Sequence, residues 1–251
     1  MVRAIKLSLL AFVLGTLFSC ASVDSDDPTE GLSAAEIYQF ASEYIKEGNY
    51  EQAIAYYERL ESRFPYGKYA ERAQMEIAFA YYKDSEPESA IVAANRFIKL
   101  HPDHDNVDYM YYLRGLASYD LSESFLDSLF NVDPSQHDPK SARRAFEYFG
   151  QLIKKYPKSR YAKDSIERMT LIRNNLALYE VHVATYYMRR GAFLAAANRG
   201  KYVVENYQRT PALADALAIM AEAYGKLGMT DLADDTKKVL KLNHPDHKSL
   251  K

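Results

Sequence analysis

The sequence predicts an all-α protein, a solenoid of five helix-turn-helix repeats, and three observations lead to this prediction. From Ala34 onward apolar residues recur at i, i+3 and i+4, the period of a helix, and no strand-like alternation persists. A similar order of small, aromatic and proline residues returns along the chain, 37 positions apart in its most regular part. The composition is that of a folded protein, since 48% of the residues are apolar and 26% are charged.

The N-terminal segment has the composition of a secretory signal. Arg3 and Lys6 precede a short apolar run that ends in small residues and Cys20, and this run is shorter than the roughly 20 residues of a membrane-spanning helix. We therefore expect residues 1–19 to be a signal peptide. Cys20 is the only cysteine in the sequence, which excludes an intrachain disulfide and a zinc site built on cysteine pairs.

The end of this segment, Leu17-Phe18-Ser19-Cys20, resembles the lipobox of bacterial lipoproteins. The resemblance implies a diacylglycerol and an N-acyl chain on Cys20, and no other cofactor is expected. Ala21 stands where a retention signal for the inner membrane would place Asp, so the implied location is the outer membrane, on its periplasmic face. Residues 20–32 are then the lipidated cysteine and an acidic tether. The alternative is an ordinary signal peptide with an incidental cysteine.

Three of the five repeats follow a regular pattern in which small and aromatic residues alternate with helix-ending turns. Its members are Tyr44, Gly48, Ala53, Tyr57 and Pro65 in the first repeat, Tyr81, Ala90, Phe97 and Pro102 in the second, and Tyr224, Gly228, Ala233 and Pro245 in the last. This order is typical of tetratricopeptide (TPR) repeats. No such unit buries its apolar face alone, so we expect all five to stack into one solenoid.

The third and fourth repeats are longer than the others. Gly115 takes the small position of the third, and its excess length lies in an insertion at 120–140 that carries two Asp-Pro turn signals. In the fourth, the stretch Tyr161–Arg190 contains neither proline nor glycine and predicts one long helix. We divide the repeats into 33–104 (TPR 1–2) and 105–251 (TPR 3–5). The alternative fold is an irregular helical bundle.

Charge and motifs argue against nucleic-acid binding and against catalysis. The 32 basic and 34 acidic residues give a net charge of −2, whereas nucleic-acid-binding domains usually carry a basic excess. No phosphate-binding glycine loop, zinc-protease motif or nucleophile elbow occurs. The duplicated His-Pro-Asp-His at 101–104 and 244–247 falls at the same phase of two repeats, so we interpret it as a helix-ending corner rather than a metal site. We predict no enzyme and no metal.

The tyrosines fall into two sets. Tyr44, Tyr81, Tyr187 and Tyr224 occupy the core position of the repeat pattern. A second set lies outside that position, mostly on or near the first helices of repeats one to three: Tyr38, Tyr66, Tyr69, Tyr82, Tyr109, Tyr111 and Tyr112. First helices line the concave face of TPR solenoids, and hydrophobic peptide segments bind aromatic grooves through a few anchors. The second set therefore indicates either a peptide-binding groove or core packing, and as a cluster it favours the groove.

Taken together, the lipobox, the acidic tether, the five repeats, the insertion and the lengthened fourth repeat resemble one family, BamD (ComL). The resemblance covers essentially the whole chain. It is sharpest in Arg63-Phe64-Pro65-Tyr66-Gly67, Tyr111-Tyr112-Leu113-Arg114-Gly115-Leu116 and the stretch Leu176 to Arg199. It implies a non-catalytic scaffold that assembles outer-membrane β-barrel proteins together with BamA and other Bam lipoproteins.

The resemblance also implies two sets of site residues. Repeats one and two receive the C-terminal β-signal of unfolded barrel proteins, and there we expect contacts from Phe64, Tyr66 and Tyr69. Phe64 departs from the tyrosine common at its position and lacks that hydroxyl. Repeats three to five dock the periplasmic POTRA domains of BamA, and there we expect Arg190, Asn198 and Arg199, with both arginines projecting from the rim.

Three alternatives to this function stay open from the sequence. One is a type IV pilus secretin pilotin, and another is an adaptor that recruits cell-wall hydrolases. The third is an enzyme whose active site is carried by the insertion at 120–140.

Overall fold

The computed structural model describes residues 27–121 and 139–251, and these residues form ten α-helices and one short 3-10 helix, Lys248–Leu250. The helices are α1 (Ala34–Glu47), α2 (Tyr50–Arg63), α3 (Lys68–Lys83), α4 (Pro87–Leu100), α5 (Val107–Asp120), α6 (Pro139–Lys155), α7 (Ala162–Arg189), α8 (Phe193–Asn206), α9 (Leu213–Lys226) and α10 (Thr230–Asn243). The described residues contain no strand. None of these helices is both long and apolar enough to cross a membrane.

The ten helices stack in chain order, as the five-repeat solenoid requires. Each helix packs against the next one along the chain, and first helices also contact the first helix of a neighbouring repeat: α1 with α3, α3 with α5, and α7 with α9. This neighbour-only order confirms the all-α TPR solenoid and rules out an irregular bundle. The predicted long helix of the fourth repeat is also confirmed, because α7 runs unbroken for 28 residues.

Small residues sit where paired helices approach each other most closely. A Cβ built on Gly115 would lie 2.6 Å from the ring of Phe149, so only glycine fits the small position that the repeat pattern assigned to it. Gly200 on α8 meets the same condition, with Met220 at 2.5 Å and the carbonyl oxygen of Ala216 at 2.9 Å. The contact at Gly115 sets the distance between α5 and α6 in repeat three. The contact at Gly200 sets the distance between repeats four and five.

The duplicated histidine motif ends helices, as expected. His101 is the C-terminal cap of α4 and His244 that of α10, and each donates its backbone N–H to a carbonyl of its own helix. The His101 ring also bonds Gln74 on α3 at 2.8 Å. No cluster of three or more candidate metal ligands occurs in the two described ranges.

The predicted signal peptide, Cys20 and most of the insertion lie outside the described residues. The last part of the predicted tether lies within them and is packed rather than free. Thr29 is fully buried, and its carbonyl accepts a hydrogen bond from Arg63 on α2. Asp27 lies 3.4 Å from Arg59 on the same helix. Asp27 and Thr29, in the last part of the predicted tether, therefore contact the first repeat.

Candidate recognition face and docking residues

The neighbouring first helices α1, α3 and α5 bring a set of aromatic side chains onto one face of the solenoid. We call it the tyrosine face and define it by Tyr38, Tyr69, Tyr82, Tyr109 and Tyr112. The rings of Tyr38 and Tyr69 lie 5.7 Å apart across two repeats. All five side chains are half-buried, so each packs against the solenoid and still presents part of its surface to solvent.

The tyrosine face continues onto the fourth repeat through Tyr161, a residue outside both sets of tyrosines that the repeat pattern indicated. Its ring stacks on Tyr112 at 4.7 Å and lies 5.5 Å from Tyr109. The Tyr112 hydroxyl donates to Asp164 on α7 at 2.7 Å. Burial, together with this carboxylate, raises the pKa of Tyr112 to about 12, so the phenol stays protonated at neutral pH.

One tyrosine of the predicted groove set belongs to the core. Tyr111 is only 4% exposed and packs against Tyr156 at 5.4 Å. The guanidinium of Arg114 lies 4.3 Å from its ring centroid, and the Lys155 ammonium bonds its hydroxyl at 2.6 Å. The groove interpretation is therefore wrong for Tyr111, because one step along a helix turns a side chain by 100° and places Tyr112 alone on the tyrosine face.

The three residues expected to contact a β-signal differ in accessibility. Tyr66 is 91% exposed in the corner between α2 and α3. Phe64 and Tyr69 are half-buried against the core of the first repeat. A cation covers part of each ring, since Arg63 lies 5.5 Å from the Phe64 centroid and Lys68 5.0 Å from that of Tyr69. Tyr66 is thus the free aromatic side chain of this corner, while Phe64 serves packing as well.

One carboxylate among the tyrosines of repeats one to three has no hydrogen-bond partner in the part of the chain that the structure describes. Glu76 on α3 is half-buried, and no donor among the described residues hydrogen-bonds to it. Burial raises its pKa above the usual range. Its charge in turn helps to raise the phenol pKa values of Tyr38, Tyr57 and Tyr109, in which burial is the larger cause. Glu76 carries no motif, so spacing alone gave no signal for it.

Arg199 does not project freely from the rim as expected. Its Nη1 donates to Oε2 of Glu180 at 2.8 Å, and Arg143 on α6 bonds Oε1 of the same carboxylate at 3.2 Å. Glu180 is 1% exposed, while the two arginine side chains are 42% and 47% exposed. This arrangement ties α6, α7 and α8 together. The bond to Glu180 also raises the pKa of Arg199, so its charge is permanent.

Arg190 and Asn198 are both exposed, but the structure does not bring Arg190 next to Arg199. Arg190 ends α7, ten residues beyond Glu180, which is about 15 Å along a helix axis. Asn198 directly precedes Arg199 on α8, so its side chain is turned by about 100° around the helix axis from that of Arg199. Arg190 therefore stands apart from the adjacent pair Asn198 and Arg199.

Comparison with known proteins decides the family. The family model described as "YfiO: Outer membrane lipoprotein" matches residues 31–240. The chain is 43% identical over 245 residues to the outer membrane protein assembly factor BamD of Neisseria meningitidis serogroup A, covering 96% of this chain and 92% of that protein. The chain belongs to the BamD family. The BamD of Vibrio cholerae serotype O1 is 36% identical over 92% of this chain and 95% of that protein.

A solved structure is similar at the level of coarse shape only. The crystal structure of PilW, a widely conserved type IV pilus biogenesis factor, aligns with a TM-score of 0.37 at 18% identity, over 86% of this chain and 96% of that one. That level of similarity carries no argument about function. The BamD-family relatives named above are outer membrane protein assembly factors, which favours that function over the pilotin and the hydrolase adaptor.

Proposed function

We propose that this chain, as a member of the BamD family of outer membrane protein assembly factors, binds the C-terminal β-signal of unfolded barrel proteins and docks to BamA. The observation that carries the first part is the tyrosine face of repeats one to three, with Tyr66 exposed beside it. A β-signal is an extended, alternating segment that ends in an aromatic residue. Half-buried rings on neighbouring helices offer such a segment anchoring positions without costly reordering.

The docking half of the proposal assigns Arg190, Asn198 and Arg199 to BamA. Arg199 uses only Nη1 for Glu180, so its other N–H groups are available to a carboxylate of the partner. Glu180 would hold the guanidinium in one orientation, which lowers the entropy lost on binding. The other partners in this proposal are further Bam lipoproteins and the outer membrane itself, reached through acyl chains on Cys20 at its periplasmic face. No enzymatic step is part of the proposal.

Titration calorimetry with a synthetic C-terminal β-signal peptide tests recognition. We expect Tyr66→Ala to weaken binding by about 1–3 kcal/mol, the usual cost of removing an aromatic anchor, and to leave the unfolding midpoint unchanged because the side chain is 91% exposed. Tyr202→Ala, which removes another exposed tyrosine on α8, is the matched control and should bind normally. Equal binding by the two variants would remove Tyr66 from the site.

Binding of purified periplasmic domains of BamA tests docking. We expect Arg199→Ala to weaken binding, and Arg199→Lys to restore it only in part, because an ammonium cannot reproduce bidentate contact with a carboxylate. Arg96→Ala is the control, since Arg96 pairs with a glutamate on another face, in repeats one and two. Full restoration by Lys would reduce the contact to simple charge attraction, and unchanged binding in the alanine variant would exclude it.

A further inference from the structure

Glu76 is a half-buried carboxylate on α3 for which the described residues supply no hydrogen-bond donor. Glu76 lies two turns beyond Tyr69 on the same side of α3, and α3 packs against α1, α2 and α5, the helices that carry Tyr38, Tyr57 and Tyr109. The charge of Glu76 contributes to the raised phenol pKa of each of these three tyrosines. Arg72 lies one turn earlier on the same helix and is exposed, and no ion pair joins it to Glu76 within the described chain. Within residues 27–121 and 139–251, no side chain of the packed helices thus pairs with the Glu76 carboxylate.

Three other acidic side chains of repeats one to four have hydrogen-bond donors. Asp164 accepts from Tyr112 and from Arg168, each at 2.7 Å. Glu58 accepts from Tyr81 at 3.0 Å, and Glu61 is held by Gln74 and Arg96. A half-buried carboxylate without a donor is unfavourable for the free protein. Buried polar atoms without a hydrogen-bond partner occur on other side chains but not on Glu76. Because Glu76 has no partner in the described chain, its carboxylate oxygens must be accessible to solvent. Glu76 is therefore open to a group from outside.

We propose that Glu76 binds the lysine or arginine side chain of a polypeptide segment lying on the tyrosine face, and so gives this face a preference for a basic residue. This inference rests on the proposed function, since it assumes that a polypeptide occupies the face. A cation placed here would pair with the carboxylate. The surrounding rings would also attract it through their negative faces. An uncharged donor would gain only the hydrogen bond.

Matched peptides test the preference with the full chain in detergent solution. The probes are fluorescent peptides of alternating apolar and polar residues that end in phenylalanine, with one lysine placed at successive inward positions. Each has a partner in which that lysine is acetylated, which removes the charge but keeps most of the side chain. In the wild-type protein we expect at least one lysine position to bind about tenfold more tightly than its acetylated partner, measured by fluorescence anisotropy.

Substitution assigns this preference to a residue. Glu76→Gln should bind the lysine peptide and its acetylated partner equally. Glu71→Gln is the matched control, because Glu71 lies on the same helix but five residues away, on a different side, and it should keep the tenfold preference. Thermal unfolding followed by circular dichroism should give Glu76→Gln a midpoint no lower than that of the wild type, since the variant loses a poorly solvated charge.

The possible failures are distinguishable. If the wild-type protein binds neither member of any peptide pair, peptide recognition on this face is excluded, and the proposed function fails together with this inference. If the peptides bind but lysine and acetyl-lysine are equivalent, or if Glu76→Gln keeps the preference, the role of Glu76 is excluded while peptide recognition stands.

Discussion

At the residue scale, the side chains of Arg199 and Arg114 stabilise the fold, which the sequence around them did not indicate. Arg199 has a carboxylate partner 19 positions earlier on α7, and that partner is itself shared with Arg143 on α6. The repeat pattern describes which positions face the paired helix but not which polar side chains meet across three helices. For this reason, the sequence-based expectation that Arg199 projects from the rim is replaced by a structural role.

The shared carboxylate predicts strongly non-additive effects on stability. Arg143→Ala and Arg199→Ala should each cost about 1–3 kcal/mol, because Glu180 keeps one partner. The double variant should lose more than the sum of the two, since an unpaired buried carboxylate costs several kcal/mol. Urea unfolding measures all three. When Glu180 is replaced by Gln, the coupling between the two arginines should disappear. If the losses of unfolding free energy in the two single variants simply add up in the double variant with Glu180 intact, the shared-carboxylate explanation is contradicted.

Arg114 is a buried guanidinium whose hydrogen-bond partners in the described part of the chain are amide oxygens. It is 6% exposed, lies between the rings of Tyr111 and Tyr148 at 4.3 and 4.4 Å, and bonds Asn95 at 2.8 Å and Gln151 at 2.5 Å. We expect Arg114→Lys to destabilise the protein by about 1–3 kcal/mol, because a lysine cannot reach both amide oxygens while stacking between two rings. Arg96→Lys, at a 60% exposed side chain, should be nearly neutral in the same urea titration.

At the scale of elements, the described turns between the two helices of a repeat carry glycine at the same position, with one exception. Gly48, Gly191 and Gly228 each stand two residues before the second helix of a repeat, with φ of 76°, 72° and 74°. Ser85 occupies the same position in repeat two with φ of 63°. This left-handed conformation costs a residue with a Cβ about 1–2 kcal/mol through steric contact. Glycine avoids that contact but loses about 0.5–1 kcal/mol more in chain entropy on folding.

We therefore expect Ser85→Gly to stabilise the chain by roughly 0.5–1 kcal/mol, the difference between these two costs. The midpoint of thermal unfolding should rise. The reverse exchange, Gly191→Ser, should lower it by a similar amount, and no Cβ contact complicates the comparison because the space around Gly191 is open. A lower midpoint for Ser85→Gly would show that the serine side chain stabilises the turn.

At the scale of the whole molecule, the sequence predicted what depends on period and failed where contacts cross between distant segments. The repeat spacing predicted the solenoid, the long α7 and the close approach at Gly115. It could not show that Thr29 inserts beneath Arg63, because nothing in the acidic composition of the N-terminal stretch indicates a buried residue. It also could not separate Tyr111 from Tyr112, or find Glu76, because both depend on the exact phase of α5 and α3 against their neighbours.

The proposed anchor makes a prediction about the molecule as a whole. Cys20→Ala should remove the protein from the outer-membrane pellet when its partner proteins are absent, because several acyl chains are needed for firm attachment. The helices should be unaffected, since Cys20 lies outside α1, which begins at Ala34. Far-ultraviolet circular dichroism supplies that control. A variant that still sediments with the outer membrane would contradict the lipobox interpretation.

The most direct measurement of the central claim, that this chain is a scaffold working with BamA, is co-purification. The full-length, membrane-anchored chain is isolated from detergent-solubilised membranes, and its partners are identified and quantified by mass spectrometry, with Arg199→Ala as the matched bait. The account predicts BamA in stoichiometric amounts with the wild-type chain and a marked loss of BamA with the variant. Recovery of a pilus secretin or a cell-wall hydrolase in place of BamA would contradict it.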